Sequence, residues 1–253
     1  MAKVLVATEK PFAKGAADQI RNLGTEAAYE VIFLENYSDP ADLLNAVADV
    51  DAMIIRSDIA SREVIMAGKN LKIIVRAGAG YDNIDLAAAT EKGVVAMNTP
   101  GMNSNAVAEL AMGMMVFYAR GFFSGKAGTE LRGKKLGIHA YGAVGRYVAE
   151  IAKGFGMDCY AFDPFIPKES ITKDGVKALE SAEELYKTCQ YVSLHIPANE
   201  HTKKSINYSL MSSMPKNAVL VNTARKEVVN EEDMLRIMEE RTDFGYLSDI
   251  EPD

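Results

Sequence analysis

Short, β-branched apolar runs alternate with amphipathic stretches from one end of this 253-residue chain to the other. Parallel strands joined by crossover helices leave that trace, because each strand is buried on both faces and each return needs a helix to cover a face. The alternation predicts an α/β fold built from doubly wound parallel sheets, and it argues against a sandwich or a helical bundle. At this length two domains are the expectation, with a single α/β barrel as the alternative.

A first set of strands is predicted near residues 4–7, 29–34, 52–56, 72–76 and 94–98, with helices at 15–22, 41–47, 62–67 and 86–92. Five strands in about 100 residues make a compact doubly wound domain of flavodoxin-like size. Thr99, Pro100 and Gly101 break the pattern, which places a domain boundary there: residues 1–100 on one side, 101–253 on the other. Asn103 or Ser104 is a candidate cap for a helix over 105–120. That helix carries Met112, Met114, Met115 and Phe117 on more than one face, so it is expected to be buried nearly all round, between domains or subunits. A methionine-rich cofactor box is the sharper alternative; methionine filling core gaps is the plainer one. After a polar arm over 121–134, strands follow near 135–140, 158–162, 176–179, 191–195, 218–222 and 245–249, with helices at 146–155, 182–188, 208–214 and 231–240.

Composition narrows the function. Lys plus Arg is 28 against 35 for Asp plus Glu, a net charge of −7 with no basic block, which argues against nucleic acid or an anionic membrane as partner. The longest apolar run, 110–119, is too short to span a bilayer, which takes roughly 18 residues or more. Cys159 and Cys189 lie far apart among apolar neighbours, so no metal site or disulfide suggests itself, and reduced thiols in a cytoplasmic protein are expected.

The most informative segment is Leu136-Gly137-Ile138-His139-Ala140-Tyr141-Gly142-Ala143-Val144-Gly145-Arg146, a strand running through a glycine turn into a helix. Gly142 permits close approach of backbone to a pyrophosphate, Gly145 lets helix and strand pack, and the helix N-terminus offers free N–H groups to phosphates. Ala140 stands where the pattern has its first glycine, and its methyl is tolerable if φ is negative. Asp163, 18 residues past Gly145, ends the next strand, where a dinucleotide site needs an acid for the ribose. That acid would repel a 2′-phosphate, and Pro164 and Phe165 supply no arginine, so NAD is favoured over NADP. The plainer alternative is a strand–turn–helix that binds nothing.

These residues, with Arg76-Ala77-Gly78-Ala79-Gly80-Tyr81-Asp82-Asn83-Ile84-Asp85, Met97-Asn98-Thr99-Pro100, Val107-Ala108-Glu109-Leu110, His195-Ile196-Pro197 and Val221-Asn222-Thr223-Ala224-Arg225, resemble the D-isomer-specific 2-hydroxyacid dehydrogenases, and among them the short 3-phosphoglycerate dehydrogenases. The resemblance implies a flavodoxin-like substrate domain followed by a Rossmann NAD-binding domain, with the active site between them. It implies that Arg225 binds the substrate carboxylate and polarises the reacting carbonyl, a task suited to a planar guanidinium. Arg56 with Ser57, and Arg76 with Ala77 and Gly78, would receive a substrate bearing phosphate and carboxylate. Alternatively each arginine pairs with a nearby acid such as Asp58 or Asp82.

The same resemblance assigns Tyr141, Gly142, Ala143, Val144, Gly145, Arg146, Asp163, His195, Pro197, Thr202, Asn222, Thr223, Ala224 and Asp249 to the cofactor. Lys226 replaces the glycine usual after the arginine, which asks for a different backbone angle or a local adjustment. The family's base is a histidine, or a lysine in some short relatives, and both fall beyond Asp253; its partner glutamate normally stands before a proline five residues after the aspartate that ends the sixth strand. Here Glu251 precedes Pro252 but is two residues after Asp249. The expected reading is NAD-dependent oxidation of D-3-phosphoglycerate, the entry to serine biosynthesis, by a homodimer whose second domain is incomplete at its C-terminus. A glyoxylate or hydroxypyruvate reductase is the alternative within the family. A corepressor-like or truncated chain that binds dinucleotide without turnover is the alternative outside catalysis.

Overall fold

In a computed structural model, which describes residues 1–250, the chain divides into two compact units, Met1–Asn103 and Ser104–Asp253. The first alternates β1 (Lys3–Thr8), α1 (Lys14–Glu26), β2 (Glu30–Glu35), α2 (Pro40–Val47), β3 (Ala52–Ile55), α3 (Arg62–Ala67), β4 (Ile73–Arg76), α4 (Leu86–Lys92) and β5 (Val95–Met97). Its five strands are parallel in the order β2-β1-β3-β4-β5, the flavodoxin-like winding. Consecutive residues Leu5, Val6 and Ala7 are all fully buried, as a central strand covered on both faces requires.

Side chains close the helix ends. Asp39, Ser61 and Asp85 each accept a backbone N–H at the start of α2, α3 and α4. The end of α3 is closed from another helix: Lys92 Nζ donates to the carbonyls of Ile65, Met66 and Gly68, matching a cation to the negative end of the helix. Burial lowers the Lys92 pKa somewhat from the usual lysine value.

The second unit comprises α5 (Ser104–Ala119), β6 (Lys135–His139), α6 (Ala143–Gly154), β7 (Asp158–Phe162), α7 (Lys168–Lys173), β8 (Lys177–Ala178), α8 (Ala182–Thr188), β9 (Tyr191–Leu194), α9 (Tyr208–Ser213), β10 (Val219–Asn222), α10 (Glu231–Glu240) and β11 (Gly245–Ser248). The described strands form one parallel sheet in the order β11-β10-β9-β6-β7-β8, the doubly wound arrangement that binds dinucleotides. One face carries a core shared with α5 and α6, the other a core shared with α8, α9 and α10. Cys159 belongs to the first core and Cys189 to the second, and burial pushes their thiols up to about 11 and about 12.

Two elements differ from expectation. The helix at the boundary runs from Ser104 to Ala119: Ala108, Ala111, Met112, Met115 and Ala119 form a stripe at helical spacing into the core, while Leu110 and Phe117 are 43% and 41% exposed in the single chain. In the arm, Phe122 and Phe123 adopt φ of 57° and 54° and set their rings 5.2 and 5.1 Å from that of Phe117. Helix α7 was not anticipated, because only Ile171 of its six residues is buried. The strand expected over 176–179 shrinks to Lys177–Ala178, since only those two residues pair with β7.

Candidate functional site

In the first unit the carboxyl ends of β3 and β4 meet. Ile55 is in register with Arg76, the Ala77 N–H binds Ile55 O at 2.7 Å, and Arg76 Nε donates to Arg56 O at 2.9 Å. Arg56 and Ser57 are exposed at this edge, and Arg56 makes no ion pair with any described residue. Asp58, weighed as its partner, is committed elsewhere: it accepts the Glu9 N–H at 2.7 Å and the Tyr37 hydroxyl at 2.5 Å through Oδ1, and the Arg56 N–H at 3.4 Å through Oδ2. It thereby ties the ends of three strands together. The Arg76 guanidinium folds over Gly78, where a Cβ would lie 1.6 Å from Nη1. Asn98 Nδ2 donates to Ala79 O at 2.7 Å and the Thr99 N–H to Gly78 O at 2.9 Å, fixing the glycine loop from the end of β5. Asn83 Nδ2 also donates to Asp58 O at 2.7 Å. Sequence reasoning missed Asp58, Asn83 and Asn98 as organisers; a polar residue just past an apolar strand was the one signal available.

In the second unit β6 leads through Ala140, Tyr141 and Gly142 into α6. A Cβ on Gly142 would meet nothing within 4 Å, whereas one on Gly145 would fall 2.4 Å from Ala140 O. Gly145 is therefore required for the helix to approach the strand, and Gly142 leaves space beside the helix N-terminus, as a pyrophosphate needs. Ala143 and Val144 form the first turn of α6. The condition under which the Ala140 methyl is tolerated freely, a negative φ, is not met. Its φ is 79°, so an alanine holds a left-handed turn that costs an L-residue roughly 1–2 kcal/mol.

Asp163 stands just past β7, as expected, with Oδ2 accepting the Tyr141 N–H and Oδ1 the Phe165 N–H, both at 2.8 Å. Each carboxylate oxygen has a second lone pair, which leaves capacity for two hydroxyls. The Tyr141 side chain is 1% exposed and belongs to the core, so only its backbone is at the turn. Arg146 Nη1 is bonded to Asp174, a residue the sequence did not flag.

Among the described residues, the buried side-chain atoms Ser193 Oγ, His195 Nε2 and Thr223 Oγ1 lack hydrogen-bond partners. Ser193 is in register with Val221, so strand alternation puts Ser193, His195 and Thr223 on one sheet face, at and beyond the carboxyl ends of β9 and β10. Unsatisfied buried polar groups cost about 1–3 kcal/mol each and mark places completed by a ligand or water. They flank the β6–β9 junction where the winding reverses, the position at which such sheets bind cofactors. The residues present thus fit a dinucleotide.

Burial lowers His195 to about 3 and His139, whose Nδ1 lies 3.3 Å from the Tyr186 hydroxyl, to about 4. Burial thus favours the neutral form of both at ordinary pH. Thr202 Oγ1 is held within its own loop, donating to Pro197 O at 2.5 Å and accepting the Asn199 N–H at 2.8 Å.

Arg225 follows a turn shaped by the fully buried Asn222, which accepts the Ala224 N–H and donates to Arg225 O, each at 3.0 Å. Arg225 Nη1 donates to Ala224 O at 2.8 Å. Lys226 opens a 3₁₀ turn, Lys226–Val228, without a positive φ, so the glycine usual there is not missed. Asp249 is exposed just past β11, and Glu251 lies outside the described residues.

The chain matches known proteins along its length. Residues 119–252 match the family described as D-isomer specific 2-hydroxyacid dehydrogenase, NAD binding domain. D-3-phosphoglycerate dehydrogenase of Methanocaldococcus jannaschii is 38% identical over 213 residues, covering 79% of this chain but 41% of the relative, so the chain spans well under half of that protein. Hydroxypyruvate reductase of Thermotoga maritima is 36% identical over 246 residues, covering 92% of this chain and 78% of the relative. Among solved structures, NAD⁺-bound 3-phosphoglycerate dehydrogenase of Entamoeba histolytica superposes with a TM-score of 0.93 at 45% identity, covering 99% of this chain and 81% of that one. The strand orders of both sheets, the glycine turn with its acid and these matches agree: the chain belongs to the D-isomer-specific 2-hydroxyacid dehydrogenases.

Proposed function

We propose that the protein interconverts D-3-phosphoglycerate and 3-phosphohydroxypyruvate with NAD, the reaction that opens serine biosynthesis. The observation that carries this reading is the pair of arginines at one sheet edge, Arg76 Nε bonded to Arg56 O at 2.9 Å, a concentration of positive charge in a chain of net charge −7. Two guanidinium groups with the Ala77–Gly78 backbone suit a substrate bearing a phosphate as well as a carboxylate. Arg225 would hold the carboxylate through parallel hydrogen bonds and stabilise charge on the carbonyl oxygen. Gly142, Ala143 and Val144 would present backbone N–H groups to the pyrophosphate, Asp163 would accept the adenosine ribose hydroxyls, and His195 and Thr223 would offer their unpartnered atoms. NAD, when bound, supplies the hydride acceptor.

Steady-state assays with NADH should show phosphohydroxypyruvate reduced with a kcat/KM at least about tenfold above that for glyoxylate or hydroxypyruvate, the difference one charged hydrogen-bond set is worth. The reverse ranking would assign the chain to the hydroxypyruvate reductases, the reading favoured by the Thermotoga maritima relative. NADH binding without turnover of any of these acids would leave a dinucleotide-binding protein.

A homodimer through the exposed Leu110, Phe117, Phe122 and Phe123 surface of the second unit goes with this reading, since four large apolar side chains are 41–67% exposed there. Sedimentation should give twice the 27.5 kDa chain mass, and Phe122→Asp with Phe123→Asp should shift it to monomer. A wild-type monomer at micromolar concentration sinks the dimer. Buried reduced cysteines accord with a cytoplasmic setting.

A further inference from the structure

The glycine turn is gripped from beneath by a carboxylate outside it. Asp174 caps the end of α7, and its Oδ2 accepts the Tyr141 hydroxyl at 3.2 Å and Arg146 Nη1 at 2.5 Å. The Arg146 guanidinium also stands 4.9 Å from the Tyr141 ring centroid. From the last turn of α6, Lys153 Nζ donates to the Asp174 carbonyl, so the acid is held in place by the helix whose N-terminus it serves.

The position of Tyr141 gives this cluster its meaning. Tyr141 directly follows Ala140, the alanine at φ 79°. Its N–H is bonded to Asp163 and its hydroxyl to Asp174, so the residue is fixed at both ends while its ring is buried. A left-handed alanine persists only where its surroundings over-determine it, and Tyr141 is the covalent neighbour through which they can act.

We propose that Asp174 is a positioning residue for the dinucleotide: through Tyr141 and Arg146 it holds Ala140–Gly142 in the left-handed turn that keeps the space at Gly142 open and the Asp163 carboxylate beside it. This rests on the cofactor reading above and goes beyond it, since Arg146 then acts on the turn through Asp174 rather than on the ligand. The Asp174 and Arg146 side chains are 36% and 41% exposed, so solvent screens their ion pair and the expected effect is several-fold.

The test measures NADH dissociation constants by fluorescence for wild type, Asp174→Asn, Tyr141→Phe and each of these combined with Ala140→Gly. Asp174→Asn and Tyr141→Phe should each weaken NADH binding about three- to tenfold, and Asp174→Asn should keep kcat at saturating NADH within about twofold of wild type. Adding Ala140→Gly, which removes the strain the network holds, should restore most of the affinity in both backgrounds. An affinity unchanged in both single variants overturns the proposal. So does a loss that Ala140→Gly does not restore, since Asp174 would then be a tether for α7 and nothing more. Tyr141→Phe deletes one oxygen and keeps the ring, so it carries the test if Asp174→Asn fails to fold; loss of fold in both makes the network a folding element and overturns the proposal as well. Wild-type protein that binds no NADH is a separate outcome, which removes the cofactor reading and this inference with it.

Discussion

Replacing Arg225 by leucine should lower kcat/KM for phosphohydroxypyruvate by about 10³-fold, the loss expected when a charged donor set aimed at a carboxylate and a developing oxyanion is removed from a site. The NADH dissociation constant should change by less than about threefold, because the proposed cofactor contacts, on the glycine turn, Asp163, His195 and Thr223, do not include the guanidinium. Arg225→Lys should recover only part of the loss, since an ammonium supplies charge without the parallel pair of donors. The turn itself should survive, because the Asn222 side chain binds both the Ala224 N–H and the Arg225 carbonyl and remains in the variant. An Arg225→Leu protein that keeps more than about a tenth of wild-type kcat/KM would remove this residue from the reaction.

Acid should unfold the second unit earlier than its carboxylates alone would. His139 and His195 have folded values of about 4 and about 3, below the 6.5 of an exposed imidazole, because burial disfavours their charged forms. Between those values and 6.5 the unfolded chain binds protons that the folded chain does not, so stability rises with pH across that window. The contribution is complete above about pH 6.5 and is lost as pH falls toward 4. At pH 5 the cost is about 2 kcal/mol for each histidine relative to pH 7. His139, 8% exposed, is the better isolated of the two. Urea unfolding followed by circular dichroism at pH 7 and pH 5 should show the drop, and His139→Gln should remove about half of it. An unchanged pH dependence in that variant would show that His139 is protonated in the native protein.

The strands were legible because a buried parallel strand leaves little choice of residue type: Leu5-Val6-Ala7 and Val219-Leu220-Val221 are apolar throughout because both faces are covered. Helices with an apolar stripe were legible for the same reason, and α7, with one buried residue, was not. At the site, the glycine turn and Asp163 could be read because their roles depend on local backbone geometry and short spacing. The φ of Ala140 could not, since it depends on what grips the next residue. Asp174 is 33 positions from Tyr141 and 28 from Arg146, and no periodicity announces a contact of that range. Asn222 was assigned to the cofactor by resemblance; in the structure its amide is spent on the turn and on the Tyr246 hydroxyl at 3.2 Å. What covers Leu110 and Phe117 was not legible for a different reason: an apolar helix face reads the same in sequence whether its own unit or a second chain covers it.

The lysine that closes α3 also makes the first unit chemically addressable. Acylation requires the Lys92 amine to leave three backbone carbonyls, so it should react more slowly than exposed lysines such as Lys69 and Lys72. It becomes available only when α4 parts from the end of α3. The mass-spectrometric rate of acylation at that one side chain is therefore a clock for local opening of the first unit, readable without a fluorophore or a substrate.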